Sequence, residues 1–227
     1  METLKRKLNK LSNEKRAQNL QRFFKTGKGE YGEGDIFIGL KTINQKQLAK
    51  EYKDISLREL EQLLKSRIHE QRSLALEILK KQYKRNKELA VFYLKNIKYV
   101  NNWDLVDMSA PHILGDWLLD KDRSVLYELA GSENLWKRRI SIVSCFTFIR
   151  QNDFKDALKI SKILLKDKHD LIHKAVGWML REVGKRDLKT EEKFLKKYYS
   201  NMPRTMLRYA IEKFNEKKRQ AYLKGKI

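Results

Sequence analysis

The chain has 227 residues, and 51 lysines and arginines against 29 aspartates and glutamates give it a formal net charge of +22. Hydrophobic residues make up 41% and aromatic residues 10%, which excludes a disordered chain in spite of the charge. With 2 prolines, 10 glycines and 1 cysteine, the composition argues against collagen and most β-sandwiches, and it excludes disulfide frameworks and thiolate-rich metal sites.

The sequence predicts an intracellular protein. Its lone Cys145 lies among apolar residues and is typical of a small buried hydrophobe in a reducing compartment. No apolar stretch approaches the roughly 20 residues that span a bilayer. The basic start METLKRKLNK has no apolar region behind it and therefore lacks the form of a secretory signal. We expect a cytoplasmic protein, associated with the nucleoid if the source is prokaryotic, that does not bind membranes.

The surplus of positive charge predicts a polyanionic partner. Solubility alone requires a net charge of only about 2–8. Basic residues are dense in 1–28 and 204–227 but continue through the middle of the chain. That distribution favours a groove along a phosphate backbone over a single membrane-anchoring helix. Nucleic acid is therefore the expected partner, and a charged surface without any partner is the alternative.

An irregular segment, residues 26–42, holds five of the ten glycines. It contains the pattern G-x-G-x-x-G at Gly27, Gly29 and Gly32. The dinucleotide-binding use of this pattern requires a strand before it and a helix that starts at it. Here a helix ending at 22–24 precedes the pattern and none begins at Gly32. We therefore interpret the segment as a bent connection.

Helical periodicity dominates the rest of the chain. Ser56 and Glu59 form a capping-box pattern in front of a stripe of leucines between 57 and 64. Further helices are predicted over 70–85, 88–100, 103–119, 122–130, 134–151, 153–166, 169–184, 187–199 and 204–223. Because the connections are short, neighbouring helices should pack antiparallel.

A weak repeat predicts how these helices stack. A basic residue followed by small or apolar residues recurs at Arg72, Arg139, Lys174 and Arg208, and the last three are about 35 residues apart. A period of roughly 35–45 residues in a helical chain is typical of stacked helix pairs. We expect an all-α fold, a curved solenoid of antiparallel helix pairs with a concave basic face, formed by residues 1–227 as a single domain.

The stretch from Asn101 to Leu119 is the most informative one chemically. Trp103 and Asp107 are four residues apart and share one helical face. Asp104 lies on another face near the helix start, where a carboxylate complements the helix dipole. An indole beside a carboxylate can form a cation site. The alternative, a core tryptophan with an aspartate that caps the helix or pairs with an arginine, stays open.

Other residues are weaker candidates. Trp136 and Arg139 share a face, and Trp178 lies in an apolar helix where Gly177 leaves room for close approach. Each tryptophan alone is more typical of a core than of a ligand site. A histidine pair at 169 and 173 has ligand spacing but no third ligand nearby. We expect neither a metal nor a cofactor.

Together these residues resemble the AlkD-like alkylpurine DNA glycosylases of the DNA alkylation repair family. The resemblance covers nearly the whole chain in the expected order. It is carried by residues 22–25, 37–39, 103–107, 115–116, 136 with 139, 174–182 and 203–211.

This resemblance implies a HEAT-like solenoid that acts as a monomer and holds duplex DNA on its concave face. It implies hydrolysis of the N-glycosidic bond of cationic alkylated purines such as N3-methyladenine and N7-methylguanine. Asp107 would be the catalytic carboxylate, and Trp103 and Trp178 would be aromatic walls around the lesion nucleotide. The base would stay stacked, and recognition would occur through the backbone and sugar.

The resemblance also implies DNA contacts away from the lesion. Arg139 would contact a backbone phosphate, and Arg204 and Arg208 would bind DNA near the C-terminus. Phe23 or Phe24 falls where the best-known members have a tyrosine, so a hydrogen-bonding role for that position would be lost.

Two other functions stay open on the sequence. One is a non-catalytic binder of branched or damaged DNA on the same solenoid. The other is a helical scaffold for an acidic protein partner, which a flat salt response of DNA binding would favour.

Overall fold

A computed structural model of the protein describes residues 2–227 and has an all-α fold. The described residues contain fourteen α-helices and no β-strand, and one isolated bridge joins Ile36 to Ile68. None of these helices is both long and apolar enough to span a membrane. The chain forms two compact units, Met1–Ser109 and Ala110–Ile227. The single-domain organisation of 1–227 stays a prediction.

The first unit is built around one buried helix. Its helices are α1 Glu2–Lys10, α2 Glu14–Phe23, α3 Thr42–Glu51, α4 Leu57–Leu64, α5 His69–Tyr83, α6 Leu89–Lys95 and α7 Trp103–Ser109. Helix α5 packs against α3, α4 and α7, and most of its side chains are buried. The predicted capping box is confirmed: the Glu59 N–H donates to the Ser56 hydroxyl, and the Ser56 N–H donates to the Glu59 carboxylate.

The second unit is a two-layered stack. Its helices are α8 Ser124–Ala130, α9 Leu135–Arg150, α10 Lys155–Ile163, α11 Asp170–Gly184, α12 Leu188–Tyr198, α13 Arg204–Ala210 and α14 Glu216–Leu223. Helices α9, α11 and α13 pack side by side, while α8, α10 and α12 cover them. Short connections make successive helices antiparallel, as predicted.

Close contact between α11 and α13 depends on Gly177. A Cβ at this position would lie 2.5 Å from the Met206 carbonyl oxygen and from the Tyr209 Cβ. This confirms that Gly177 makes room for the close approach.

Two of the predicted helices are interrupted. In 103–119, α7 ends at Ser109 and a π-helical turn follows over Pro111–Gly115. Pro111 has no N–H to continue the regular α-helical pattern, which explains the change. In 204–223, the chain leaves α13 and becomes extended at Phe214. Asn215 then caps α14 by accepting the Lys218 N–H.

Residues 26–41 contain turns and no α-helix, and α3 begins at Thr42. The buried Glu70 carboxylate accepts backbone N–H groups of Ile38, Gly39 and Leu40 at 2.8–3.2 Å. Gly39 has φ +75°, and a Cβ there would lie 2.1 Å from the Asn13 carbonyl oxygen. The segment is therefore anchored to α5 and pressed against the start of α2.

Gly39→Ala should reduce the free energy of unfolding by about 3 kcal/mol or more, because a left-handed φ and a backbone clash both oppose the methyl group. Gly34→Ala is the matched control, since Gly34 has φ +84° but nothing within 4 Å of an added Cβ. The control should lose only about 1 kcal/mol. Urea denaturation of both variants measures the difference, and equal losses would contradict this account of Gly39.

Candidate functional site

Helix α7 carries the predicted tryptophan and carboxylate. Trp103 and Asp107 both lie in α7, one helical turn apart, and both side chains are half-buried. Their shared face agrees with the spacing in the sequence. Asp104 lies in the first turn as predicted, and its Oδ2 is 2.8 Å from His69 Nε2. The two carboxylates of α7 therefore have different surroundings.

A stack of aromatic rings supports Trp103. Its indole stacks on Phe24 with ring centroids 5.4 Å apart and an interplanar angle of 14°. Phe24 stacks in turn on Phe37 at 4.9 Å and contacts the His69 ring at 5.0 Å. Both phenylalanines of this stack are buried. The stack fixes the indole face that points into the protein.

Phe23 and Phe24 differ sharply in exposure. Phe24 is 7% exposed and is a core residue, whereas Phe23 is 63% exposed at the end of α2. The Phe23 ring meets the Trp103 indole edge-on at 6.1 Å. Both phenylalanines are predicted to contact DNA, and Phe23 is therefore the one whose ring is exposed for such a contact.

A cavity of about 380 Å³ borders these rings within the first unit. Phe23, His69 and Asp104 line it, together with the exposed basic side chains of Arg16 and Lys46. The carboxylates of Glu70 and Glu77 line it as well, so the charge around the aromatic rings is mixed.

Four buried polar side chains and the half-buried Asp104 are joined by hydrogen bonds next to the ring stack, and we name this group the charge cluster. Its members are Asp35, His69, Arg72, Asn102 and Asp104. Arg72 donates to Asp35 Oδ1 at 2.6 Å, and Asn102 donates to Asp35 Oδ2 at 3.2 Å. His69 bridges the two carboxylates, with Nδ1 3.2 Å from Asp35 and Nε2 2.8 Å from Asp104.

The surroundings shift the pKa values of His69 and Asp35 in opposite directions. Burial alone would lower the pKa of His69, but its hydrogen bonds to Asp104 and Asp35 hold it above the usual 6.5. Burial alone would raise the pKa of Asp35, but the bond to His69 and the charge of Arg72 hold it below the usual 3.8. The folded protein therefore favours imidazolium between two carboxylates.

Sequence reasoning missed the charge cluster. Its members come from residues 35–104, and their partners are far apart in sequence, so no local spacing reveals them. The available signal was compositional: His69, Glu70 and Arg72 open a helix that also carries the apolar run Leu74–Leu76 and Ile78–Leu79. Charged residues in a buried helix must find partners.

The second unit holds Arg139 and Trp178. Arg139 is 5% exposed on α9 and donates to the Leu171 carbonyl. Trp178 is half-buried on α11, with its ring 5.6 Å from that of Phe146. The roles predicted for both side chains toward DNA stay predictions.

The arginines of α13 are on the surface. Arg204 and Arg208 are both exposed, and Arg204 donates to the Leu223 carbonyl at 2.6 Å. Trp136, by contrast, is 8% exposed and belongs to the core.

The histidine pair at the start of α11 has hydrogen-bonding roles within the fold. His169 Nδ1 accepts the Leu171 N–H and caps α11, while His173 Nε2 bonds the Asp167 carbonyl. Within residues 2–227, no three His, Cys, Asp or Glu side chains are grouped so that they could hold a metal ion.

Comparison with known proteins supports the resemblance found in the sequence. A family described as DNA alkylation repair enzyme matches residues 4–214. A solved structure described as a predicted DNA alkylation repair enzyme from Enterococcus faecalis is 20% identical, with a TM-score of 0.75 over 90% of this chain and 97% of that one. AlkD2 from Streptococcus mutans is 17% identical, with a TM-score of 0.56 over 88% and 97%. No curated protein matches the chain.

The charge cluster should make stability depend on pH. The raised pKa of His69 contributes stability that is fully present below pH 6.5 and lost as pH rises through the folded value. The lowered pKa of Asp35 contributes stability that is present above pH 3.8 and lost as pH falls through its folded value. Urea denaturation should therefore show lower stability at about pH 9 than at about pH 6.

His69→Gln should weaken that alkaline decline and keep part of the acid decline, because the charge of Arg72 still lowers the pKa of Asp35. Exposed His112, replaced in His112→Gln, serves as the control. A decline of the same size in His69→Gln would show that other groups cause it.

Proposed function

Because this chain belongs to the family of DNA alkylation repair enzymes, we propose that it is a DNA glycosylase acting on cationic alkylated purines. Its substrate would be duplex DNA that contains lesions such as N3-methyladenine or N7-methylguanine. Release of the base would begin base excision repair.

One observation carries the proposal. Trp103 and Asp107 lie one turn apart on the same half-buried face of α7, in a chain with net charge +22. A protein that only grips phosphates gains nothing from a carboxylate on its binding face, because the carboxylate repels them. A carboxylate beside an indole suits a reaction in which positive charge develops.

The chemistry needs few groups. As the C1′–N bond breaks, its electron pair leaves with the purine, and positive charge builds on the sugar. The purine of the lesion already carries a positive charge and departs neutral, so no general acid is required. Asp107 would stabilise the sugar cation and orient the water whose oxygen bonds to C1′. The proton lost by that water would pass to the solvent.

The remaining DNA contacts are proposed for exposed side chains and for two that are partly or fully covered. Phe23 would pack on the nucleic acid, with the ring stack behind it as support. Arg204 and Arg208 would bind phosphates from α13. Trp178 would flank the lesion nucleotide, and Arg139 would contact a phosphate in the DNA-bound state, which requires its guanidinium to turn outward.

Asp107→Asn should slow release of N7-methylguanine from methylated duplex DNA by about 100- to 1,000-fold, because the neutral amide cannot balance the sugar cation. DNA affinity should stay the same or rise, since a negative charge has been removed. Chromatography of the bases released in single-turnover reactions measures the rate.

Asp54→Asn is the matched control, because Asp54 is an exposed carboxylate of the same unit that pairs with Arg85 at 2.7 Å. It should keep the wild-type rate. Wild-type protein that binds alkylated DNA but frees no base would refute the glycosylase and support a non-catalytic binder.

Binding to duplex DNA should weaken by about a thousandfold or more between roughly 50 and 200 mM salt, because several phosphates are neutralised. Removing both α13 arginines, in Arg204→Ala with Arg208→Ala, should reduce the slope of log affinity against log salt by about 2. Fluorescence anisotropy with a labelled duplex measures both.

The control removes two exposed lysines from the covering layer, in Lys162→Ala with Lys166→Ala. It lowers the net charge by the same amount as the α13 double variant, but it should leave most of the slope of log affinity against log salt. Equal slopes for the two double variants would mean that α13 makes no specific phosphate contact.

A further inference from the structure

We propose that the charge cluster positions the start of α7, so that Trp103 and Asp107 meet the lesion in a fixed geometry. The inference rests on the glycosylase function proposed above. It assigns Asp35, His69 and Asn102 as positioning residues, which act through α7 without touching the reacting atoms.

Both chain neighbours of Trp103 are tied to the cluster. Asn102 donates to Asp35 with its amide nitrogen, and its amide oxygen accepts the Trp103 N–H at 2.8 Å. On the other side, Asp104 is bonded to His69. Trp103 therefore begins α7 between two anchored residues. A seven-residue helix has too few internal hydrogen bonds to be stable alone, so its direction depends on these anchors.

The indole itself is held through rings that include a cluster member. The His69 ring stacks on Phe37 at 4.5 Å with an interplanar angle of 22°, and it contacts Phe24 at 5.0 Å. Phe24 in turn stacks against the Trp103 indole. A tilt of the imidazole would therefore displace the surface on which the indole rests.

This arrangement gives residues 26–42 a function. The segment supplies Asp35 to the cluster and Phe37 to the ring stack, and the Glu70 carboxylate fixes its backbone just beyond them. The glycine-rich pattern allows the chain to bend in the connection from α2 to α3, so that these two side chains reach the cluster and the ring stack together. The segment is thus an anchor for α7.

The charge of His69 is essential to the anchor. The ring donates to both carboxylates only as imidazolium, because neutral imidazole has one N–H. The charged groups that face it are Asp35 from the irregular segment, Asp104 from α7 and Arg72 from its own helix. When the proton leaves, one ring nitrogen becomes an acceptor that faces a carboxylate, either Asp104 of α7 or Asp35, which holds Asn102, so one of the two bonds behind the start of α7 is lost. Base release should then decline as pH rises.

The first test uses DNA-free protein labelled with fluorotryptophan and fluorine NMR across about pH 6–9. The Trp103 resonance is assigned by its absence in Trp103→Phe. We expect it to titrate with an apparent pKa above 6.5, and we expect the titration to vanish in His69→Gln. Asp104→Asn should move the titration to lower pH.

This test does not depend on one variant folding. The wild-type titration requires no substitution, and Asp104, with its side chain 27% exposed, tolerates an isosteric amide better than a buried residue does. A Trp103 resonance that stays constant with pH, or that titrates unchanged in both variants, overturns the proposal.

The second test measures single-turnover release of N7-methylguanine against pH. His69→Gln should lower the rate by about 100-fold near neutral pH, because a displacement of about 1 Å is sufficient for such a loss. Its alkaline decline should disappear, while DNA affinity stays within about twofold. His112→Gln should keep the wild-type profile. A rate and an affinity that fall together, with the pH profile unchanged, would indicate a merely structural role and refute the inference.

The two proposals fail in different ways. Wild-type protein that releases no base refutes the glycosylase, and the Trp103 titration still decides whether the cluster positions α7. Base release with an unchanged alkaline decline in His69→Gln refutes the positioning role alone.

Discussion

The first unit depends on a buried carboxylate, Asp35, that is paired with Arg72 and bonded to His69. Removing charges from water costs several kcal/mol for each ion, and the cost is offset only when each charge finds partners of good geometry. Asp35 has three such partners: Arg72, His69 and Asn102. Breaking a buried pair typically costs about 3–5 kcal/mol, which is a large share of the stability of a small domain. The path of residues 26–42 and the point at which α7 begins are both fixed by this requirement.

The two carboxylates of α7 illustrate how one short helix can carry both structure and chemistry. Asp104 is bonded to a buried histidine, and this bond holds the helix start. Asp107 lies on the face of Trp103, one turn further along. Electrostatic catalysis requires charges that are already oriented before the reaction begins, since reorientation would consume the energy gained. A carboxylate on a freely moving seven-residue helix would not satisfy that condition, so the role proposed for Asp107 requires the bond that Asp104 makes to His69.

Local patterns predicted the features that local forces control. The capping box at Ser56 and the apolar periodicity located the helices, because both act within one or two turns. The end of α7 and the break before α14 were missed, because the apolar periodicity continues across both. The α-helical pattern is interrupted at a proline in the first case and at a phenylalanine with extended backbone in the second. The pairing within the charge cluster could not be predicted from local patterns, because a bond such as Asn102 to Asp35 joins residues from distant parts of the chain.

Exposure was the other quantity that the sequence could not supply. Phe23 and Phe24 are adjacent and chemically identical, yet one is at the surface and the other is a core residue. The direction of each ring depends on how α2 packs against residues 26–42 and α7, which is a tertiary property. The same holds for Arg139, a basic residue whose side chain is covered by packing against α11.

Electrostatics alone gives the proposed enzyme a means of selecting damaged purines. A field from 22 excess positive charges attracts every duplex equally, because all DNA carries the same phosphates. A carboxylate on the binding face opposes that attraction at one point. The carboxylate attracts only a nucleotide that carries positive charge. This stabilisation increases as positive charge develops on the sugar in the transition state. An undamaged purine is neutral and leaves as an anion, so the same carboxylate gives it neither binding nor a low barrier. Selectivity would then arise without any side chain that reads the base edge.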